Sequence, residues 1–284
     1  MPHLVLSWPS AAILAGITAA AAVILGRIRH RRLAAAGRFA GEAALLLALY
    51  ALWQYAGSFS VLPASGGLPR AQWLWHAERV LHLPDEAGVQ RPFLPFPPLI
   101  RAFNLYYAVL HFPVLIGGLV WLFARHREHY RRIRTTVVLF TGASLLIQLI
   151  PVAPPRMLPG AGLVDTAAWY GESVYAWSGG LDADQFSAMP SVHVGWALIV
   201  AMAVITAARS RLRWTAAAYP ALTTLVVIVT ANHFWMDAIA AAGVLAIALL
   251  AQRAARSVRG RLAGARFPRP SRPGLHGGPS RSSC

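Results

Sequence analysis

Apolar residues in this chain run in long, nearly unbroken stretches rather than in alternating or one-faced patterns. Seven such stretches, each about 18–23 residues, fall at roughly 4–26, 39–57, 103–124, 135–153, 190–208, 214–231 and 234–252. A helix of about 20 apolar residues crosses the ~30 Å hydrocarbon core of a bilayer. There the backbone must satisfy its own hydrogen bonds. The pattern therefore predicts an all-α, polytopic membrane helix bundle of about seven spans. Two long loops, 58–102 and 154–189, separate some of the spans. In the first, AQWLWHAERVLHL (71–83) reads as an amphipathic helix lying at the interface, with Trp73 and Trp75 at headgroup level. The following QRPFLPFPPLI (90–100) is predicted to be irregular, because prolines interrupt a helical ladder.

Composition agrees with this reading. Of 284 residues, 57% are hydrophobic and only 13% charged, against about a quarter charged in a soluble domain. All 26 basic residues are arginine, and 21 of them lie in four segments: 27–38, 125–134, 209–213 and the tail after 252. Seven spans put these four segments on one side of the membrane. The positive-inside rule makes that side cytoplasmic, with the N-terminus outside and the C-terminus inside a membrane expected to be the plasma membrane. Glu78, Asp85, Glu86, Asp165, Glu172, Asp182, Asp184 and Asp237 then fall outside, leaving Glu42 and Glu128. The net charge of +16 follows from this topology and from attraction to anionic inner-leaflet lipid. It calls for no nucleic-acid partner. The single cysteine, Cys284, permits neither an intramolecular disulfide nor a thiolate metal site. The first span has no basic residues before it and several after it, the arrangement of a retained anchor rather than a cleaved leader. The tail from 253, rich in Arg, Pro, Gly and Ser, is expected to be disordered.

Polar groups at span ends are costly at membrane depth and are functional candidates. APPRMLPG (153–160) carries Arg156, whose planar donors suit phosphate oxygens; an interfacial arginine that snorkels is the plain alternative. MPSVHVGWA (189–197) opens a span. Pro190 is expected in the first turn of a helix, leaving the next backbone N–H groups for an anion, with the Ser191 hydroxyl and His193 beside them. An ordinary helix start with an interfacial histidine is the alternative. ANHFWMDAIAAAG (231–243) carries His233 and Asp237 four residues apart, on one helical face. An aspartate on one imidazole nitrogen fixes the tautomer and sharpens the other as nucleophile or base. His82 and Glu86 have the same spacing, but Pro84 between them argues against a helix. Each group alone is a weak motif; the charge rule, which used none of them, places all three on one face.

The ordered set PPR (154–156), PSVH (190–193) and HFWMD (233–237) resembles the three motifs of the type 2 phosphatidic acid phosphatase superfamily of lipid phosphatases and phosphotransferases. The form of the motifs is closest to the branch containing inositol-phosphorylceramide synthase, whose members move a phosphoryl headgroup between lipids at an extracytoplasmic face. The resemblance implies three parts: an anchor span with a basic cytoplasmic loop (1–38), a six-helix catalytic membrane domain (39–252) and the basic tail (253–284). It implies His233 as a nucleophile that becomes a phosphohistidine, Asp237 as its orienting partner, and His193 as the acid that protonates the leaving alcohol. Arg156, Ser191 and the N–H groups after Pro190 would hold the phosphate. No cofactor or metal is expected. The substrate would be a phospholipid or an isoprenoid lipid phosphate.

Two departures stand out. The family's pattern has a lysine where this chain has Leu149, and a Ser-Arg pair where it has Val226 and Val227. Arg70, Arg79, Arg91 and Arg101 are the other outer arginines that could supply the missing charge. RAFNLYYAVLH (101–111) adds Asn104, Tyr107 and His111 at three- and four-residue spacing. They are candidates for headgroup or acceptor binding, with Arg101 and Asn232; interhelical hydrogen bonding is the alternative. The competing readings are a polyprenyl or glycerolipid phosphatase using water, and a non-enzymatic transporter or lipid-binding protein. A transport route would place polar groups near the midplane, where the last three spans look apolar.

Overall fold

The computed structural model describes residues 7–28, 30–57, 64–171 and 185–266. The expectations for Glu172, Asp182, Asp184 and the end of the tail lie outside the described residues. Helices dominate, and the described residues contain one isolated bridge, between Val152 and Ser187, rather than a sheet.

The predicted spans appear as α1 (Trp8–Arg27), α2 (Arg31–Gly57), α5 (Pro97–Leu105) running through a π-type turn (Tyr106–Leu110) into α6 (His111–Arg125), α7 (Arg127–Gln148), α9 (Val192–Ala207), α10 (Ala218–Val229) entered through a 3₁₀ turn (Arg211–Ala217), and α11 (Trp235–Arg266). Five of these runs are long and apolar enough to cross a membrane: Trp8–Arg27, Arg31–Leu52, Pro97–Arg125, Arg211–Val229 and Trp235–Arg259. Between the spans, the described residues contain three short helices, α3 (Gly67–Val80), α4 (Glu86–Gln90) and α8 (Thr166–Trp169).

Three boundaries differ from the sequence reading. The third span starts at Pro97, because the paired prolines occupy the first helical positions, where a missing N–H costs nothing. The helix that opens within MPSVH starts at Val192 with Ser191 as its N-cap. Pro190 therefore stands before the cap and not in the first turn. The region from 253 to 266 continues α11, since its Ala, Arg and Leu are good helix formers even though their surroundings are polar. From Leu249 to Arg266 the described residues cluster apart from those before them.

Among the residues before Leu249, several segments meet at one buried cluster. A buried cluster joins α3 (Ala71, Leu74), the segment after α7 (Val152, Ala153, Leu158, Ala161), Ala188 and Phe234. Ala71, Leu74 and Glu78 share the inward face of α3, while Trp73 is exposed. Val152 N–H donates to the Phe186 carbonyl at 2.6 Å, and Ala188 N–H donates to the Val152 carbonyl at 3.3 Å. That pairing fixes the approach to α9. Gln90, almost fully buried, ties three backbone groups: its amide donates to the Val164 and Val229 carbonyls (2.8 and 2.9 Å), and it accepts from Val164 N–H (2.9 Å).

Gly195 on α9 lies directly against the ring of Phe140 on α7, and an added Cβ would overlap that ring. Phe140 is fully buried and has no room to move. Helix propensity alone makes Gly→Ala stabilising by about 1 kcal/mol; overpacking costs about 1–3 kcal/mol. The overlap is severe, so Gly195→Ala is expected to lower the thermal midpoint in detergent. Gly195→Ala combined with Phe140→Leu should recover part of the loss. A midpoint equal to or above wild type in the single variant would contradict the packing.

Candidate active site

The site is assembled where α9, α10 and α11 begin or end together. α10 stops at Val229, and the chain turns through Thr230, Ala231 and Asn232. Ala231 takes a left-handed φ of 52°, unusual for a residue with a Cβ. Both Asn232 N–H and His233 N–H donate to the Val227 carbonyl (3.0 and 3.2 Å). This tight turn sets His233 at the mouth of α11.

His233 is 4% exposed. Its Nδ1 lies 2.8 Å from the Ala188 carbonyl oxygen and 3.3 Å from Asp237 Oδ2. Both are acceptors, so Nδ1 carries the proton and Nε2 presents a lone pair. Nε2 is buried and has no hydrogen-bond partner among the described residues. Asp237 is fully buried, and its Oδ2 also accepts from Phe234 N–H at 2.8 Å. The aspartate thus holds both the imidazole and the first turn of its own helix. The Ala188 carbonyl is the nearer partner of His233; a backbone acceptor leaves no mark in a sequence pattern.

α9 meets the same point. Ser191 N–H donates to the Asp237 carbonyl at 3.1 Å, and Ser191 Oγ accepts from Val194 N–H at 3.4 Å. The hydroxyl retains its proton for donation. The N–H groups of Val192 and His193, first in the helix, lie outside its internal ladder. Together they leave a helix end whose donors suit an anion, with Ser191 as cap and Pro190 preceding it. The His193 and His233 ring centroids are 5.9 Å apart.

Arg156 reaches the site from the PPR segment. Its N–H donates to the Ala231 carbonyl at 3.0 Å, its Nη1 donates to Asn232 Oδ1, and its Nε lies 3.4 Å from Asp165 Oδ2. The side chain is 5% exposed, so the ion pair and the amide hold a largely desolvated guanidinium. Asn232 is oriented in turn by donating from Nδ2 to Thr230 Oγ1 at 2.9 Å. Asp165 caps α8 by accepting from Ala168 N–H. In the sequence it was only one acid among those on its side, nine residues beyond Arg156.

Of the α5–α6 candidates, Tyr107 stacks on the His193 ring (4.3 Å between centroids, planes 28° apart) and His111 meets that ring edge-on at 4.5 Å. His111 Nδ1 lies 3.3 Å from the Tyr219 hydroxyl. Asn104 instead faces α8, donating to the Thr166 carbonyl at 3.2 Å and accepting from Thr166 Oγ1 at 2.9 Å. The wider π-type turn between Leu105 and His111 breaks the α-helical register that would have put all three on one face.

The arginines proposed to replace the missing charges take different places. Arg79 bonds Asp85 and Glu86 (3.0 and 2.9 Å), Arg70 donates to the Pro151 carbonyl, and Arg101 lies 5.1 Å over the Tyr170 ring. Arg91 is exposed. Val226 and Val227 are fully buried. The grouping with metal-ligand spacing found among the described residues, His126, Glu128 and His129, is at the α6–α7 turn and not here.

A helical membrane bundle that gathers two imidazoles, a guanidinium and a helix N-terminus at one end has the layout of a membrane-embedded phosphatase-type enzyme. The chain belongs to the PAP2 superfamily, whose family model matches residues 72–251 and takes in all three motifs. Membership carries phosphatase-type chemistry on lipid phosphates. No curated protein and no solved structure matches the chain.

Asn232 is the neutral group that aims Arg156. A hydrogen bond to a charged group contributes about 1.5–3 kcal/mol, so Asn232→Ala is expected to lower turnover of a lipid phosphate by about tenfold or more at an unchanged fold. Initial rates measured beside thermal midpoints check this; wild-type rates would show that Arg156 does not need the amide.

Proposed function

We propose that the protein is a metal-independent lipid phosphotransferase or lipid phosphate phosphatase that works at the extracytoplasmic face through a phosphohistidine. The observation that carries the reading is the His233 imidazole, protonated and held at Nδ1 with Nε2 left bare, beside His193. In the first step Nε2 attacks phosphorus, the N–P bond forms, and the bond to the leaving alkoxide breaks. His193 gives that oxygen a proton. In the second step His193 takes a proton from water or an acceptor hydroxyl, whose oxygen displaces His233. Arg156, the Ser191 hydroxyl and the first amides of α9 are set to meet the phosphoryl oxygens as their charge grows. Tyr107 and His111 fix the plane of the His193 ring.

The extracytoplasmic placement rests on the 21 arginines that collect at the opposite connections and in the tail. The absence of cationic side chains at Leu149 and Val227 favours headgroup transfer, as in the inositol-phosphorylceramide synthase-like branch, over hydrolysis of a simple phosphomonoester.

Purified protein in detergent with EDTA, offered phospholipids and isoprenoid phosphates with and without a hydroxylated lipid acceptor, tests the reaction. Metal-independent transfer or release is expected, with His233→Ala and His193→Ala each lowering it by about 10²-fold or more. Labelled phosphorus retained on wild type and on His193→Ala, but not on His233→Ala, would identify the intermediate. Activity untouched in both histidine variants would sink the mechanism, and inertness toward every lipid phosphate would favour a transporter. For topology, Trp169, largely exposed, is replaced by cysteine in a Cys284→Ser background. Labelling of intact cells from outside is expected, whereas Cys284 itself should label only after permeabilisation. The reverse pattern would overturn the orientation.

A further inference from the structure

Two buried carboxyl groups outside the three motifs converge on the helix that carries Asp237. Glu78, on the inward face of α3, is fully buried; Glu86, the first residue of α4, is 1% exposed. Glu78 Oε1 accepts from Met236 N–H at 2.6 Å. Met236 precedes Asp237 in the first turn of α11, where backbone donors have no partner within the helix. A residue more than 150 positions away therefore caps the helix that Asp237 shares with its own bond to Phe234 N–H.

The other oxygens of the pair need a different account. Glu86 Oε2 accepts from Arg79 Nη2 at 2.9 Å, and Arg79 also bonds Asp85 Oδ1 at 3.0 Å. Glu78 Oε2 is 3.9 Å from the same Nη2, outside hydrogen-bond range. Glu78 Oε2 and Glu86 Oε1 are both buried without a donor. The Glu78 and Glu86 carboxyls lie within hydrogen-bonding contact of each other, and two ionised carboxylates there would be unsolvated, which is costly. One proton between them satisfies both oxygens. The charged groups facing the pair are Arg79 and Asp85 around the α3–α4 turn and Asp237 on α11. One guanidinium, Arg79, thus faces three carboxyls, and Glu78 is the most distant of them at 3.9 Å.

We infer that Glu78 and Glu86 share a proton and that Glu78 is a positioning residue for the proposed reaction, holding the first turn of α11, and Asp237 with it, without adding a second anion beside that carboxylate. This rests on the assignment of Asp237 as the partner of His233. Burial, reinforced by the Glu86 carboxyl, raises the pKa of Glu78 from 4.5 to about 9.

Glu78→Gln preserves the acceptor for Met236 and places an N–H where the proton lay. It is expected to keep kcat within about threefold of wild type, whereas Glu78→Ala lowers kcat about tenfold with KM little changed. Glutamine as damaging as alanine, or alanine without effect, would overturn the inference. A second readout needs no turnover and no alanine variant. The folded protein holds a proton that the unfolded chain releases above 4.5, so this contribution to stability is complete at low pH and is lost as pH rises toward about 9. The thermal midpoint of wild type should fall across that window more steeply than that of Glu78→Gln. Parallel curves would refute the shared proton. If wild type turns over no lipid phosphate but the curves diverge, the pair stands and the proposed reaction fails.

Discussion

The hydrogen bond from His233 Nδ1 to two acceptors is the constraint on which the arrangement depends. An imidazole can present one lone pair only if the other nitrogen is committed as a donor. Here the commitment comes from the Ala188 carbonyl and the Asp237 carboxylate together. Those partners come from opposite sides of the site. Ala188 is held by the pairing with Val152 just after α7, and Asp237 lies in the first turn of α11. Ser191 N–H closes the loop by donating to the Asp237 backbone carbonyl. The start of α9, the start of α11 and the PPR segment therefore cannot shift independently, and the imidazole senses all three.

The same end of the bundle keeps its charges in small local sets. Arg156 is matched by Asp165 and aimed by Asn232; Arg79 is matched by Asp85 and Glu86. Desolvated charges persist when each has a partner and its remaining hydrogen-bonding capacity is met. The acids that the sequence places on this side of the membrane are thus local. Asp165 and Glu86 face specific guanidinium groups, and Asp237 faces an imidazole. The resulting rigidity suits chemistry in which developing charge must find donors already in place.

Much of the fold was legible because apolar length is a strong signal. All seven predicted stretches are helical near their expected positions and five are long and apolar enough to cross a membrane; the differences at their ends concern prolines and helix continuation. Pro97 and Pro98 start a helix rather than breaking one, and Pro190 lies before a cap rather than inside it. The three motifs were legible because their polar side chains stand at the ends of otherwise apolar spans. What escaped was backbone and tertiary: the Ala188 carbonyl, the Glu78 cap on Met236 and the Gln90 brace span 45, 158 and 139 residues of sequence separation. No local pattern encodes such contacts. The face shared by Asn104, Tyr107 and His111 failed for a different reason, since a π-type turn changes the period that spacing arguments assume.

The two positions where the chain departs from the family's pattern become intelligible in this frame. Val227 is fully buried and its carbonyl receives both Asn232 and His233 N–H. The backbone there builds the turn, while its side chain packs with Val194 and Ile228. An arginine in that place would need a desolvated partner, and the nearby acids already have theirs. With Arg70 bonded to the Pro151 carbonyl and Arg79 to Asp85 and Glu86, Arg156 is the motif arginine that meets the His233 turn, through Ala231 and Asn232. One guanidinium plus helix amides balances a phosphodiester, which carries one charge, better than a monoester dianion. On that count the charge inventory suits a phosphodiester substrate for the proposed reaction better than a phosphomonoester.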